Sequence, residues 1–151
     1  MNEERPLLDT SLVSHYLAPD APARLPHLVT RVDDCIRSHG LCLSIITTFE
    51  IGRGLELLRL RGRGSTKISR FTRFLSEAAA FPLDGRVLQL GCDLWARGRI
   101  KRPAITLSDG DLLIAATAIA HEHKLLTTDV PLGDRLMELE LGDHVEVIAL
   151  R

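Results

Sequence analysis

The sequence predicts an α/β domain built on a parallel sheet, and three observations lead there. Short, compact apolar runs alternate with longer segments whose apolar residues recur at helical spacing. Each strand-like run is followed by a helix-like one, which parallel strands joined by right-handed crossovers require. The chain has 151 residues, 45% of them hydrophobic but only 4% aromatic. That is enough for one domain, 1–151, with a core of Leu, Ile, Val and Ala, and hardly enough for two.

The elements follow in order. Pro6–Leu8 is a short apolar run ending at Asp9, and a helix-compatible segment runs from Thr10 to Leu17, closed by Pro19 and Pro22. Leu25, Leu28, Val29, Val32 and Ile36 mark a helix that stops at Gly40. Leu41–Ile46 reads as a buried strand, and from Thr47 a helix carries Ile51, Leu55 and Leu58 to the Gly62/Gly64 pair. Ile68, Phe71, Phe74 and Leu75 define another helix, Phe81–Leu83 a short strand, and Val87, Leu90, Leu94 and Trp95 a helix fading at Gly98. The clearest helix is Ser108–His123, with Leu112, Ala115, Ala116, Ile119 and Ala120 on one face. Lys124–Thr127 and His144–Ala149 complete the strands.

Net charge is −1, which names no partner, but the charges are unevenly spread. Basic residues crowd into Arg53–Arg73 and Arg97–Arg102, and the stretch after Pro103 is acidic. Such a split can pair a polyanion-binding surface with an acidic site; it also describes ordinary solvated helix faces. Cys35, Cys42 and Cys92 are odd in number and form no CxxC, which argues against a disulfide framework or zinc site and fits a reducing cytoplasm. The polar MNEERPLLDT start lacks a signal-peptide layout. No apolar run approaches the roughly 20 residues of a membrane span.

The informative pattern is where carboxylates fall. Asp9 follows the first strand, Glu50 lies just inside the helix after the second, Asp111 opens the clearest helix, and Asp129 follows Leu125-Leu126-Thr127-Thr128. In an open parallel sheet those junctions collect along one edge, where ligands bind. Each acid alone also reads as a helix cap; Thr47-x-x-Glu50 and Ser108-x-x-Asp111 match the capping box. Capping, however, does not require caps to converge. Converging carboxylates repel unless a cation sits among them. Oxygen ligands without His or Cys suit Mg²⁺ or Mn²⁺, as one ion or as two about 4 Å apart. The chemistry implied is metal-assisted phosphodiester hydrolysis.

Leu7-Leu8-Asp9-Thr10-Ser11, Ser44-Ile45-Ile46-Thr47-Thr48-Phe49-Glu50, Asp111-Leu112-Leu113-Ile114-Ala115-Ala116 and Leu126-Thr127-Thr128-Asp129 together resemble the four signature segments of PIN-domain ribonucleases, in the flavour of VapC-like toxins. The resemblance implies a three-layer α/β/α fold with a central, mainly parallel sheet. It implies that Asp9, Glu50, Asp111 and Asp129 bind Mg²⁺ or Mn²⁺ and activate water against RNA. It also implies a homodimer and a small antitoxin that covers the groove and blocks the site. Two departures stand out: Ser11 occupies a place where the family often has Asn, and an extra acid, Asp109, precedes Asp111.

Thr10, Ser11 and Thr127 flank the acids and could orient carboxylates or metal-bound water, with Asp109 a supporting or substitute ligand; local capping and strand-end hydrogen bonds are the alternative role for the hydroxyls. Arg53, Arg59, Arg61, Arg63, Lys67, Arg70 and Arg73 could track an RNA backbone, meet an acidic antitoxin tail, or simply be exposed. His121-Glu122-His123 has the wrong spacing for a zincin helix and reads as a helix end. The Gly-Arg-Gly segments at 52–54 and 62–64 lack the residues of a phosphate loop. Trp95 reads as core or dimer contact. Competing functions are an RNA-processing nuclease without antitoxin and a non-catalytic module binding RNA or protein through the basic helices. A phosphatase with Asp9 as nucleophile would need a second Asp where Ser11 stands.

Overall fold

The computed structural model describes residues 2–150, and their side chains from residue 5 onward. Strands β1 (Asn2–Leu8), β2 (Cys42–Ser44), β3 (Ala79–Phe81), β4 (His123–Thr127) and β5 (Val145–Val147) form one sheet in the order β3-β2-β1-β4-β5. Every pairing is parallel. Leu7 stands opposite Cys42 and Leu125, and Leu8 opposite Leu126. Because strand side chains alternate, Leu7, Cys42 and Leu125 enter one core and Leu8, Leu43 and Leu126 another.

Helices fill both sides. On the Leu8 face lie α1 (Thr10–Tyr16), α3 (Pro26–His39), α4 (Ile45–Leu60) and α5 (Ser65–Glu77), which contribute Leu12, Val32, Leu55 and Phe74. A single turn, α2 (Ala21–Arg24), joins α1 to α3. On the Leu7 face lie α7 (Asp109–Ala120) and α8 (Val130–Glu138), with α6 (Gly85–Ile100) packed on α7 through Val87, Leu94 and Ala116. The expected α/β/α layering and parallel sheet are therefore present. Among the described residues no helix is long and apolar enough to cross a membrane.

The chain runs outward from β1 through β2 to β3, then returns to lay β4 and β5 on the other side of β1. The order reverses between β1 and β4. In such sheets the crevice at the carboxyl ends of the strands opens at that reversal. Asp9 leaves β1 there and Asp129 follows β4.

Several boundaries differ from expectation. The strand predicted as Leu41–Ile46 ends at Ser44, whose hydroxyl accepts the Ile46 N–H and starts α4 two residues earlier than foreseen. The cap of α4 is thus Ser44, not Thr47, and Glu50 stands in the second turn. The strand predicted at Phe81–Leu83 lies at Ala79–Phe81, in register with Cys42–Ser44. The helix predicted to reach His123 ends at Ala120; Glu122 takes a φ of 57°, and His123 opens β4. The last strand is shorter than His144–Ala149 because Gly142–His144 forms a 3₁₀ turn. Helix α8 was not foreseen. Trp95 is 50% exposed beneath the Arg99 guanidinium, 4.9 Å from the ring centre, and is not a core residue.

Candidate functional site

Asp9 is 2% exposed at the end of β1. It occupies the N-cap position of α1 yet makes no capping bond there. Its Oδ2 instead accepts the Thr127 hydroxyl at 2.6 Å and the Ser11 hydroxyl at 2.9 Å. Burial pushes the Asp9 carboxyl above the usual aspartate range; the two hydroxyls draw it back, and the Asp129 charge adds to the rise. Thr127 also accepts the Asp129 N–H at 3.0 Å, so one hydroxyl group joins two of the acids.

Asp129 and Asp111 each sit where α8 and α7 begin. Asp129 Oδ1 caps α8 by accepting the Leu132 N–H at 3.1 Å. For α7 the cap is Ser108, which accepts the Asp111 N–H at 3.2 Å, as the Ser-x-x-Asp pattern predicted. Asp111 is half-buried and its carboxyl is also pushed up, first by burial and then by the Asp9 charge, with Asp129 and Glu50 contributing. Asp109, two residues earlier in the same turn, is exposed, and the charges that raise Asp111 are those of Asp9, Asp129 and Glu50. Between the two candidates, Asp111 is the one placed among the other acids.

Glu50 reaches the same edge from α4. Its Oε1 accepts the Thr10 hydroxyl at 2.8 Å, and Thr47 Oγ1 lies 3.0 Å from Thr10 Oγ1. Its Oε2 rests against Gly110, where a Cβ would lie 3.2 Å away. All four acids therefore stand at one sheet edge. Among the described residues, however, no three His, Cys, Asp or Glu side chains are drawn close enough to share one ion. Uncompensated carboxylates repel, and after burial, the larger cause, the charges of Asp9, Asp129 and Glu50 add to the rise at Asp111. The donor set is all oxygen and fits a hard divalent cation.

Three residues around the acids were missed by the sequence reading: Thr47, Thr128 and His15. Thr128 Oγ1 lies 3.1 Å from Ser11 Oγ and 3.2 Å from His15 Nδ1. His15 Nδ1 is also 2.8 Å from the Ser11 carbonyl oxygen. The only local signal is that His15 follows Ser11 by four residues, one turn along α1.

A groove of about 700 Å³ opens beside Glu50 and Thr10 and runs between α1, α4 and α5. Leu55, Leu58 and Phe71 make it chiefly apolar, and Lys67 and Arg70 lie along it. Arg70 donates to the Leu17 carbonyl at 2.9 Å. The other basic residues do not line this groove. Arg59 and Arg73 pair with Glu56 and Glu77 on their own helices, Arg53 stacks near Phe49, and Arg61 and Arg63 are exposed after α4. Exposed pairs of that kind hold side chains in place weakly.

The family model of the PIN domain matches residues 7–132. No curated protein matches the chain. Among solved structures, VapBC2 from Rickettsia felis bound to a promoter DNA fragment aligns at a TM-score of 0.71 and 17% identity, over 93% of this chain and 96% of that one. FitAcB from Neisseria gonorrhoeae aligns at 0.69 and 24% identity, over 95% and 96%. VapBC-5 from Mycobacterium tuberculosis, a member of the VapBC family of toxin–antitoxin systems, aligns at 0.54 and 22% identity, over 97% and 98%. At these identities the likeness speaks for the fold.

Proposed function

Because the chain belongs to the PIN-domain family, we propose that it is a metal-dependent endoribonuclease acting as the toxin of a toxin–antitoxin pair. The observation that supports this reading is that Asp9, Glu50, Asp111 and Asp129 lie along one edge of a parallel sheet, with Asp111 held above its usual range by burial and, after it, by the charges of the other three. Those four acids are the proposed ligands of Mg²⁺ or Mn²⁺. A divalent cation there neutralises charge on the phosphodiester and lowers the pKa of attacking water. Thr10 orients Glu50, and Ser11 and Thr127 orient Asp9. Asp109 stands outside as a reserve acid.

The groove supports the partner. Its apolar floor ends at Glu50 and Thr10, so a segment of a small antitoxin laid along it would reach the acids and block them. Lys67 and Arg70 supply positive charge for an RNA backbone when the groove is free, or for an acidic residue of the antitoxin. The same family reading carries a homodimer, a cytoplasmic setting and a single domain over residues 1–151.

The test is direct. Purified protein with Mn²⁺ should cut a structured RNA, and both EDTA and Asp9→Asn should stop it. Cleavage that persists in EDTA would overturn the metal mechanism. Expression should arrest growth, and co-expression of the cognate antitoxin should restore it. Unchanged growth would instead favour a processing nuclease without antitoxin.

A further inference from the structure

The contacts of His15 have a direction. Its Nδ1 lies 2.8 Å from the Ser11 carbonyl oxygen, which can only accept. Nδ1 must therefore carry a proton, because the other neutral tautomer would set two lone pairs against each other. With Nδ1 protonated, its one proton goes to the Ser11 carbonyl and is at most shared with Thr128 Oγ1 at 3.2 Å; Nδ1 then has no lone pair for Thr128, whose hydroxyl proton is left to donate to Ser11 Oγ at 3.1 Å. Ser11 then donates to Asp9 Oδ2 at 2.9 Å. Thr128 and Ser11 each give their one hydroxyl proton towards Asp9, and His15 fixes that direction because protonated Nδ1 has no lone pair to offer Thr128.

We propose that His15 is a positioning residue for the Asp9 carboxylate, acting through Thr128 and Ser11 as one polarised hydrogen-bond chain. This rests on Asp9 being a cation ligand, as read above. A serine hydroxyl by itself is a free rotor with several partners in reach, including Thr127 Oγ1 at 3.4 Å. Donation from Thr128 occupies a Ser11 lone pair and turns the Ser11 proton to Asp9. Hydrogen bonds in series also polarise one another and strengthen the last member. That last bond favours the ionised carboxylate, the form a cation needs. The direction is the same for neutral Nδ1–H imidazole and for imidazolium, so the device does not depend on the ring's charge.

Ser11 has a single hydroxyl proton to give, and its contact with Thr128, which in turn meets His15, fixes where that proton points.

The first test needs no variant. In metal-free, ¹⁵N-labelled protein at about pH 8, where an ordinary imidazole is neutral, long-range ¹H–¹⁵N spectra should show His15 as the Nδ1–H tautomer. The Nε2–H tautomer would overturn the proposal. The second test is Mn²⁺ titration of wild type, His15→Ala, His15→Gln and His15→Asn. Asn places an amide N–H where Nδ1 stands, whereas Gln places it near Nε2. Ala and Gln should weaken Mn²⁺ binding about tenfold, the low end for groups that orient ligands, and Asn should restore it. Wild-type affinity in Ala and Gln, or failure of Asn to rescue, would overturn the positioning role. If a variant does not fold by circular dichroism, the tautomer decides. Wild type that binds no Mn²⁺ would overturn the metal reading itself, and the tautomer would still report whether the chain exists.

Discussion

The Thr10 hydroxyl lies 2.8 Å from Glu50 Oε1, so the first residue of α1 holds a carboxylate that belongs to the second turn of α4. Two helices with separate roles in the core are thereby locked at the site. Thr10→Val keeps the shape and removes the donor. It should cost about 1 kcal/mol in urea unfolding, the usual net value of one hydrogen bond, and weaken Mn²⁺ binding roughly tenfold. Thr10→Ser should keep both. Equal affinities for Val and wild type would show that Glu50 does not need the tether.

Asp9 is costly to the metal-free fold. A carboxyl pushed above its usual range holds its proton more tightly in the folded state than in the unfolded chain. Its stabilising effect is complete below the unfolded value and is lost as the pH rises through the raised one. At neutral pH the charged Asp9 is therefore a burden, which Asp9→Asn removes. In EDTA at pH 7 the Asn variant should melt at or above wild type. With Mg²⁺ at 100 times its dissociation constant, only wild type should gain, by about 2.7 kcal/mol. A variant less stable than wild type in EDTA would contradict this.

Two glycines separate site from scaffold. A Cβ on Gly110 would meet Glu50 Oε2 at 3.2 Å, the tip of a flexible side chain. Gly110→Ala should therefore displace Glu50 and leave stability within about 1 kcal/mol of wild type. Cleavage should fall, but by less than the about 100-fold that a 1 Å misplacement can cost, because a few tenths of an ångström relieve the contact. A Cβ on Gly98 would lie 2.3 Å from the Ile105 carbonyl oxygen, which is backbone and cannot swing away. Gly98→Ala should lower stability by about 1–3 kcal/mol and leave cleavage per folded molecule intact. Unfolding curves and single-turnover cleavage of both proteins check the pair.

Gly54 lines the groove on α4, and nothing lies within 4 Å of a Cβ built there. Gly54→Phe should fill that space without disturbing the core. The expected result is loss of antitoxin binding in calorimetry together with continued cleavage of a short RNA. An unchanged antitoxin affinity would place the partner elsewhere.

The sequence disclosed the scaffold of the site well, for physical reasons. Leu7-Leu8-Asp9 and Leu126-Thr127-Thr128-Asp129 switch from strand to helix within a few residues, and such switches are local. Boundaries that depend on partners were harder to read. Ile45 and Ile46 extend an apolar run that a strand or a helix could own, and the Ser44 cap assigns them to the helix. Pro82, with no N–H to offer a ladder, suits the end of β3 rather than its middle. Helix α8 hid behind Pro131 and Gly133. Proline in the first turn forfeits no hydrogen bond. Gly133 is a close approach, for a Cβ there would lie 2.4 Å from Val147 Cγ2.

The acids were visible because each marks a junction; their order of importance was not. Asp109 and Asp111 differ in exposure, which two positions of the same first turn of α7 do not reveal in sequence. Thr128 and His15 meet across 113 residues, and no spacing rule spans that distance. The groove is a relation among three helices, each of which looks ordinary alone.

The seat of β4 beside β1 gives the molecule an order of assembly. Thr127 meets Asp9 across 118 residues, so this contact awaits the last third of the fold. During synthesis β1, Glu50 and the basic helices emerge well before Thr127 and Asp129 do. Pairing strands so far apart in sequence closes a long loop before any contact rewards it. A chain broken off before residue 123 contains the α1, α4 and α5 segments and Ser11 but lacks Thr127, the nearer of the two hydroxyls on Asp9, and the fourth acid. The ribosome therefore finishes nearly the whole fold before the acids are in place.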